Sequence, residues 1–167
     1  MANKLIVCDA GPLIALAKID HLAMLKQLFH EVFVPEGVIQ ECLVNPNLPG
    51  AKTIKKALDK KILLPKSPSQ NSFLEPILKI LDEGERLAIL LAQEINATLL
   101  LDEKRGRSVA RNLAIPVIGT AGLLLMGFKK GLISNLPELL EYLKTNGYRL
   151  ADNLIEEILK RARQNQK

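Results

Sequence analysis

Short apolar runs alternate along the chain with longer segments in which apolar residues recur at helical spacing. The runs are apolar nearly throughout, without regular alternation with polar residues, which predicts strands buried on both faces. They lie at 5–8, 32–34, 62–64, 98–101 and 116–118. Such strands with helices between them predict a short parallel sheet covered on both faces, a three-layer α/β/α sandwich.

The predicted helices occupy most of the remaining chain. Helical spacing extends over 13–28, 35–43, 51–60, 84–95 and 105–112, and after the last strand over 121–129, 136–144 and 153–163. Proline, asparagine and serine predict loops at 45–50 and 65–72. Strands and helices thus alternate up to the fifth strand, and helices alone follow it.

The composition is that of a soluble globular protein. The chain has 167 residues, of which 48% are apolar and 25% are charged, and this fits one domain. The apolar runs are too short to span a membrane, and the first residues include no apolar stretch long enough for a secretory signal. We therefore expect a cytoplasmic protein.

Cysteine and histidine are scarce. Cys8 and Cys42 each lie in an apolar run, and we expect both to be small buried side chains. His21 and His30 are the only histidines in the sequence. This disfavours a zinc site of the His/Cys type and a histidine-based nucleophile relay, so any metal ion would be held by oxygen.

The net charge of +5 hides an uneven distribution of charge along the chain. Residues 67–103 carry seven acidic and two basic side chains, whereas residues 52–66 carry six basic and one acidic, and residues 104–111 carry four basic and none acidic. This pattern is typical of carboxylates that hold a cation beside Lys and Arg that face a polyanion. Alternatively, the lysines of 52–61 only solvate one helix.

Two aspartates directly follow predicted strands. Asp9 follows the run 5–8, and Asp102 follows the run 98–101. Ligands of parallel sheets bind beyond the carboxyl ends of the strands, so both carboxylates are candidates for a functional site. The alternatives are a helix cap for Asp9 and an ordinary loop position for Asp102.

Two glutamates on predicted helices can reach the same edge of the sheet. Glu41 lies at the border of the buried face of its helix, where a solvated side chain is the common alternative. Glu85 is three residues after Asp82, which is the spacing of a capping box. Glu85 also shares a helical face with Ala88 and Ala92, and small side chains there would let the helix carry Glu85 towards the sheet.

Several of these segments together resemble PIN-domain proteins. The resemblance rests on the run from Ile6 to Ile14, the helix entry from Val34 to Glu41, Gly84-Glu85 with Ala88-Ile89, and Leu101-Asp102 before Arg105-Gly106-Arg107. More narrowly, the chain is similar to a prokaryotic branch related to the VapC toxins of toxin–antitoxin pairs. The resemblance covers about residues 3–134 and implies a small parallel-sheet nuclease fold.

The resemblance also implies a site and a chemistry. It implies an acidic cluster that binds Mg²⁺ or Mn²⁺ and cuts RNA. In this chain, the implied metal-binding and catalytic residues are Asp9, Glu41, Glu85 and Asp102. Many relatives have Asp where Glu85 stands, and Thr or Ser with Asn where this chain has Leu100-Leu101. The neighbouring Glu103 leaves the fourth position open, and Asp82 is a further candidate.

Basic residues after the last acidic position would hold the substrate. These are Lys104, Arg105, Arg107 and Arg111, with the lysines of 52–61 as a second group. Their phosphate contacts would weaken as salt rises. With 4% aromatic residues and no Trp, base stacking cannot be the main source of affinity.

The predicted organisation is a PIN-like nuclease domain at 1–134 and a helical extension at 135–167 that packs on it. The extension could also form a dimer contact or receive an antitoxin, and we expect a homodimer.

The predicted function is a metal-dependent ribonuclease, a hydrolase of RNA and the toxin of a toxin–antitoxin pair. The alternative is a catalytically inactive PIN-like module that binds nucleic acid or protein. A nucleotide-binding protein is disfavoured because Gly11 stands alone after the first strand.

Overall fold

Five parallel strands form one sheet within residues 4–69 and 75–164, the parts of the chain that the computed structural model describes. The strands are β1 (Leu5–Cys8), β2 (Glu31–Val34), β3 (Leu64–Pro65), β4 (Thr98–Leu100) and β5 (Val117–Ile118). Their order is β3-β2-β1-β4-β5, and every neighbouring pair is parallel. Helices connect the strands, so the predicted α/β/α fold class is confirmed.

Helices fill the connections of the first compact unit, which ends at Ile118. They are α1 (Ala10–Lys18), α2 (Ala23–Leu28), α3 (Glu36–Leu43), α4 (Ala51–Asp59), α5 (Glu75–Leu78), α6 (Glu83–Glu94) and α7 (Lys104–Asn112). The short α5 was not predicted. The predicted loop at 65–72 begins within β3, and its residues 70–72 lie outside the described part of the chain.

Two helices replace the single helix predicted over 13–28. The chain turns after α1, where Asp20 adopts a left-handed conformation with φ 56°. The His21 N–H donates to the Leu16 carbonyl at 2.9 Å and closes the end of the helix. A left-handed residue ends a helix locally, while the apolar spacing continues past it, so periodicity alone does not reveal the break.

The central strands β1 and β4 form the switch point of the sheet. From β1 the chain proceeds to β2 and β3 on one side, and from β4 it proceeds to β5 on the other. Cys8 pairs with Leu100, and the Asp9 N–H donates to the Leu100 carbonyl at 3.1 Å. Ligands of open parallel sheets bind at such a point, beyond the carboxyl ends of the strands.

Small side chains bring α6 close to the sheet. Val7, Leu99 and Leu101 are fully buried in a core that also contains Ala88 and Ala92 of α6. An alanine projects only a methyl group, so the helix backbone can approach the strands more closely than a larger side chain allows. The middle of α6 therefore belongs to the same packed core as β1 and β4, and the first turn precedes it directly.

A second compact unit begins at Gly119 and, among the described residues, contains three helices that pack against one another. They are α8 (Thr120–Lys129), α9 (Leu136–Thr145) and α10 (Asp152–Gln164). The predicted boundary at 134/135 and the packing of 135–167 on 1–134 stay predictions. Across the described residues, no helix is both long enough and apolar enough to span a membrane.

Candidate active site

Asp9 lies between β1 and α1 and is half-buried. It occupies the position that precedes the helix, but its side chain makes no capping hydrogen bond. Burial is the main cause that raises the pKa of Asp9 to about 7, and the Ala10 backbone N–H opposes the rise. Three further carboxylates add to it through their charge: Asp82, Glu41 and Glu85. Asp9 is thus an acid close to other acids, as predicted from its place after the strand.

Three carboxylates from separate segments converge on Gly84 in α6. A Cβ at this residue would lie 2.8 Å from Glu41 Oε2, 3.5 Å from Asp9 Oδ1 and 3.6 Å from Asp82 Oδ1. A contact of 2.8 Å is shorter than Cβ atoms make, so a side chain fits here only if Glu41 moves. The absence of a side chain at Gly84 therefore leaves the space in which these oxygens face one another.

Glu41 belongs to α3 and is exposed at the surface of this cluster. Partial desolvation raises its pKa, and the charge of Asp82 raises it further. An open cleft of about 320 Å³ lies beside it, lined by Gly37, Glu41, Asp82, Glu83 and Gly84. Glu41 is thus solvated, as the alternative for this helix border predicts, and it also lines an acidic cleft.

Glu85 is buried, with 6% of its surface exposed, and it also belongs to a capping box. The Glu85 N–H donates to Asp82 Oδ1 at 2.8 Å, and the Asp82 N–H donates to Glu85 Oε2 at 3.3 Å. A Cβ at Gly106 would lie 3.7 Å from Glu85 Cδ, so the carboxyl group also lies close to α7. Both interpretations of Glu85, as a cap residue and as a side chain carried inwards, are confirmed.

The pKa of Glu85 reflects this environment. Burial raises it most, and the charge of Asp82 is the next cause. The hydrogen bond from the Asp82 backbone opposes the rise, while the charges of Glu103 and Glu41 increase it. Glu103 is therefore close enough to act on the cluster electrostatically, although it is exposed.

Asp102 is half-buried and lies two residues after the end of β4. Because Cys8 pairs with Leu100, Asp102 and Asp9 leave neighbouring strands at the same edge of the sheet. The structure thus brings together Asp9, Glu41 and Glu85 with the additional Asp82. Asp102 lies beyond the end of the neighbouring strand β4. Its role in the site stays a prediction.

The carboxylates fit a hard divalent cation in chemical kind, because all their donor atoms are oxygen. Burial raises the pKa of Asp9, Glu41 and Glu85 most, and the charge of neighbouring carboxylates raises it further. A cation would relieve the repulsion between these carboxylates. Within residues 4–69 and 75–164, however, no set of three or more His, Cys, Asp or Glu side chains is arranged to hold one ion. Ligation by three of them would require side-chain movement.

Basic side chains begin immediately after the acids, in α7. Lys104, Arg105 and Arg111 are exposed, and Arg107 is half-buried. Arg107 Nε is buried and has no hydrogen-bond partner within the described part of the chain. An unpaired buried donor is costly, so an anion that reached Arg107 would satisfy it. The lysines of α4 are exposed on one side of that helix.

Both cysteines are close enough to the acidic cluster to be affected by its charge. Cys8 and Cys42 are free and buried, as expected for small apolar side chains. Burial raises the pKa of both thiols, that of Cys42 to about 12, and the neighbouring carboxylates raise them further. The thiols therefore stay protonated and uncharged beside the acidic cluster.

Sequence reasoning identified Asp82 only as a helix cap or a further candidate, whereas its carboxylate also faces the cleft. Its capping-box spacing was the only sequence signal, and that signal describes α6 alone.

Comparison with protein families finds a match over residues 5–164 to the family described as DUF3368, a PIN domain. This match extends past the predicted limit at residue 134 into α10. No curated protein matches the chain significantly.

Proposed function

The chain belongs to the PIN-domain family, whose members are typically nucleases, and on this premise we propose that it is a metal-dependent ribonuclease. It would hydrolyse phosphodiester bonds of RNA. The observation that carries the proposal is the convergence of carboxylates on Gly84 at the edge of the sheet where β1 ends. Family membership alone supports a nuclease, and the acidic cluster is what favours a metal-dependent one.

PIN domains generally use divalent metal ions, and the residues proposed to hold Mg²⁺ or Mn²⁺ are Asp9, Glu41, Glu85 and Asp102. When bound, the ion would supply Lewis acidity towards the scissile phosphate. The carboxyl groups with raised pKa lose their protons more readily as positive charge approaches, so Asp9 would release its proton from the carboxyl oxygens on binding. Glu41 and Glu85 would respond in the same direction.

The chain's own cations would bind and orient the RNA. Lys104, Arg105 and Arg111 are exposed on α7 and can neutralise phosphates of the backbone. Arg107 differs from them because its Nε lacks a partner among the described residues. Because Nε is buried, a phosphate oxygen would accept from it only after Arg107 changes its conformation. We propose Arg107 as the residue of the four that fixes the position of the substrate.

The biological setting that we propose is the toxin of a toxin–antitoxin pair. Its support is the order and spacing of the motifs that resemble the VapC branch. In this setting, the partners are RNA, a cognate antitoxin protein and a second copy of the chain in a homodimer, and the place of action is the cytoplasm. The helices of 135–167 are the proposed candidates for protein contacts.

The experiment that tests the function compares RNA cleavage by the purified protein with Mg²⁺, with Mn²⁺ and with a chelator. Asp9→Asn should abolish metal-dependent cleavage because it removes a charged ligand of the proposed site. Asp59→Asn is the matched control, since Asp59 is exposed at the end of α4. Cleavage that survives both chelation and Asp9→Asn would overturn the proposal.

A catalytically inactive module that binds nucleic acid is the second candidate. It is favoured by the lack of a three-ligand arrangement among the described residues and by the engagement of Glu85 in the capping box. This candidate expects the wild-type protein and Asp9→Asn to bind RNA equally, with no cleavage in either metal. Measuring RNA binding beside RNA cleavage, for the wild-type protein and Asp9→Asn, therefore separates the two functions.

A further inference from the structure

The position before α6 joins a structural role to the acidic cleft. Asp82 caps α6, and its carboxylate also lines the cleft with Glu41 and Glu83. Asp82 Oδ1 is the oxygen that accepts from the Glu85 N–H, and the same atom lies 3.6 Å from a Cβ at Gly84. One carboxylate oxygen thus contacts both the first turn of α6 and the space where the acids converge.

The first turn of α6 determines where two parts of the candidate site lie. Gly84 must stay close to Glu41 Oε2 and Asp9 Oδ1, and the buried Glu85 must stay between α6 and α7. The first N–H groups of a helix have no partner within the helix, so a helix without a cap frays at this end. Fraying of α6 would move Gly84 and Glu85 together.

The two bonds of the capping box differ in length. The Glu85 N–H to Asp82 Oδ1 distance is 2.8 Å, whereas the Asp82 N–H to Glu85 Oε2 distance is 3.3 Å. The shorter bond holds the backbone of α6, and the longer one restrains the Glu85 carboxylate weakly. The bond to the Asp82 carboxylate is thus the shorter of the two links at the start of α6.

We propose that Asp82 is a positioning residue of the candidate active site: its carboxylate fixes the first turn of α6 and thereby holds Gly84 and Glu85 at the acidic cleft. This inference rests on the proposed function, because it assigns to Asp82 a role in metal binding and cleavage. The positioning role acts through the helix backbone and needs the hydrogen-bond acceptor, whereas the negative charge of Asp82 acts separately on the cleft that it lines.

The chain offers a matched set of variants. Asp82→Ala removes the acceptor and the charge, whereas Asp82→Asn removes the charge and keeps the acceptor, because asparagine is also a good N-cap. Asn135→Ala is the control for the loss of a cap, since the Asn135 side chain accepts from the Glu138 N–H at the start of α9. Any effect of a lost cap on the whole protein would appear in both alanine variants.

The experiment measures Mn²⁺ affinity by calorimetry and RNA cleavage as separate kcat and KM values. We expect Asp82→Ala to weaken Mn²⁺ binding and lower kcat by about tenfold each, with KM for RNA unchanged within about twofold. Because loss of the Asp82 charge also weakens the attraction for a cation, the cap is assessed by kcat at saturating Mn²⁺. There Asp82→Asn should stay within about threefold of the wild-type protein, and Asn135→Ala should match the wild-type protein in both quantities.

The outcomes distinguish this inference from the proposed function. If the wild-type protein binds Mn²⁺ and cleaves RNA but Asp82→Ala does both equally well, the positioning role is wrong and the proposed function stands. An equal loss of kcat at saturating Mn²⁺ in Asp82→Ala and Asp82→Asn would also overturn it, because the charge would then matter and not the cap. A wild-type protein that neither binds Mn²⁺ nor cleaves RNA overturns the proposed function, and the inference with it.

Discussion

Helices α6 and α7 both begin near the candidate active site, and their first turns carry opposite charges. The first turn of α6 contains Glu83 and Glu85 and is capped by Asp82. The first turn of α7 contains Lys104 and Arg105, and Glu103 before it makes no side-chain cap. The positive end of the helix dipole favours acids and disfavours bases. Helix stability therefore helps to explain the acids at the start of α6, but it does not explain the bases at the start of α7.

The difference shows which residues most need a functional explanation. The acids of α6 would be favourable in a helix of any protein, so their presence alone is weak evidence for a site. Their convergence with Asp9 and Glu41 around Gly84 is the stronger evidence, because nothing in a helix start requires it. Lys104 and Arg105 in the first turn of α7 are placed against the helix dipole, and an anionic ligand such as RNA would account for them.

The largest expected effect concerns the acidic side and its pH dependence. The pKa of Asp9 is about 7 in the folded protein against an ordinary value of 3.8, so the folded state keeps this proton at pH values where the unfolded chain has lost it. The free energy of unfolding of the metal-free protein should thus fall as the pH rises from about 4 to about 7, by up to about 4 kcal/mol.

Urea unfolding in the presence of a chelator measures this fall. Asp9→Asn should flatten the curve within that pH window, whereas Asp59→Asn should leave it unchanged. A curve that stays equally steep in Asp9→Asn would assign the pH dependence to other groups and remove Asp9 from the acidic cluster.

The second prediction separates the stability of α6 from the contribution of its first turn to RNA cleavage. Gly84→Ala should make the helix more favourable by up to about 1 kcal/mol, because alanine has the higher helix propensity. The new Cβ would meet Glu41 Oε2 at 2.8 Å and displace that flexible carboxylate. We therefore expect RNA cleavage to fall about 100-fold while the free energy of unfolding is kept or raised.

Gly11→Ala is the matched control for this substitution. Gly11 lies in the first turn of α1, and a Cβ there would have no neighbouring atom within 4 Å. It should give the gain in helix stability without the loss of cleavage. If Gly84→Ala keeps full activity, the space at Gly84 has no role in the site.

The third prediction tests the basic side. Arg107→Ala should weaken RNA binding about tenfold at 0.1 M salt, and the slope of log affinity against log salt should become shallower by about 0.7 for single-stranded RNA. Arg107 Nε has no hydrogen-bond partner among the described residues, so the substitution breaks no hydrogen bond at this atom. The free energy of unfolding should therefore not fall for that reason. Fluorescence anisotropy over a salt series measures both quantities.

Arg161→Ala provides the comparison, because Arg161 is exposed in the last turn of α10. It should leave the affinity for RNA within about twofold of the wild-type value and the salt slope unchanged. Equal effects of the two substitutions would mean that the charge of the whole protein, rather than α7, attracts RNA.

The smallest expected effect tests the dipole argument itself. Lys104→Gln should raise the free energy of unfolding by about 0.3 kcal/mol, because it removes a cation from the start of α7. It should also weaken RNA binding by about twofold. Lys129→Gln, in the last turn of α8, should lower stability slightly, because a cation is favourable at that end. A lower free energy of unfolding in Lys104→Gln would contradict the argument, because Lys104 would then stabilise the protein and its place in α7 would need no ligand to explain it.

Much of the fold could be predicted because burial leaves a periodic trace in the sequence. The strand predicted at 5–8 matches β1, and the helix predicted at 84–95 matches α6 to within one residue at each end. The helix predicted at 13–28 failed, since the left-handed turn at Asp20 depends on one backbone conformation. Conformations of single residues leave no periodic signal.

The candidate site could be predicted in part. Asp9 was found from its place after a strand, and the structure brings Glu41 and Glu85 to it. Asp82 was identified chiefly as a cap, because its sequence spacing describes only its own helix. The role of Asp102 and the assignment of all four acids to metal binding remain for the experiments above.

The sequence by itself determined the alternation of strands and helices, the capping box and the separation of acidic from basic segments. These are local properties, since they depend on neighbours within a few turns of the chain. Only the tertiary structure decided that Asp9, Glu41 and Asp82 meet at Gly84. They lie far apart in sequence, and they converge because the order of the strands and the close packing of α6 on the sheet carry three separate segments to one edge.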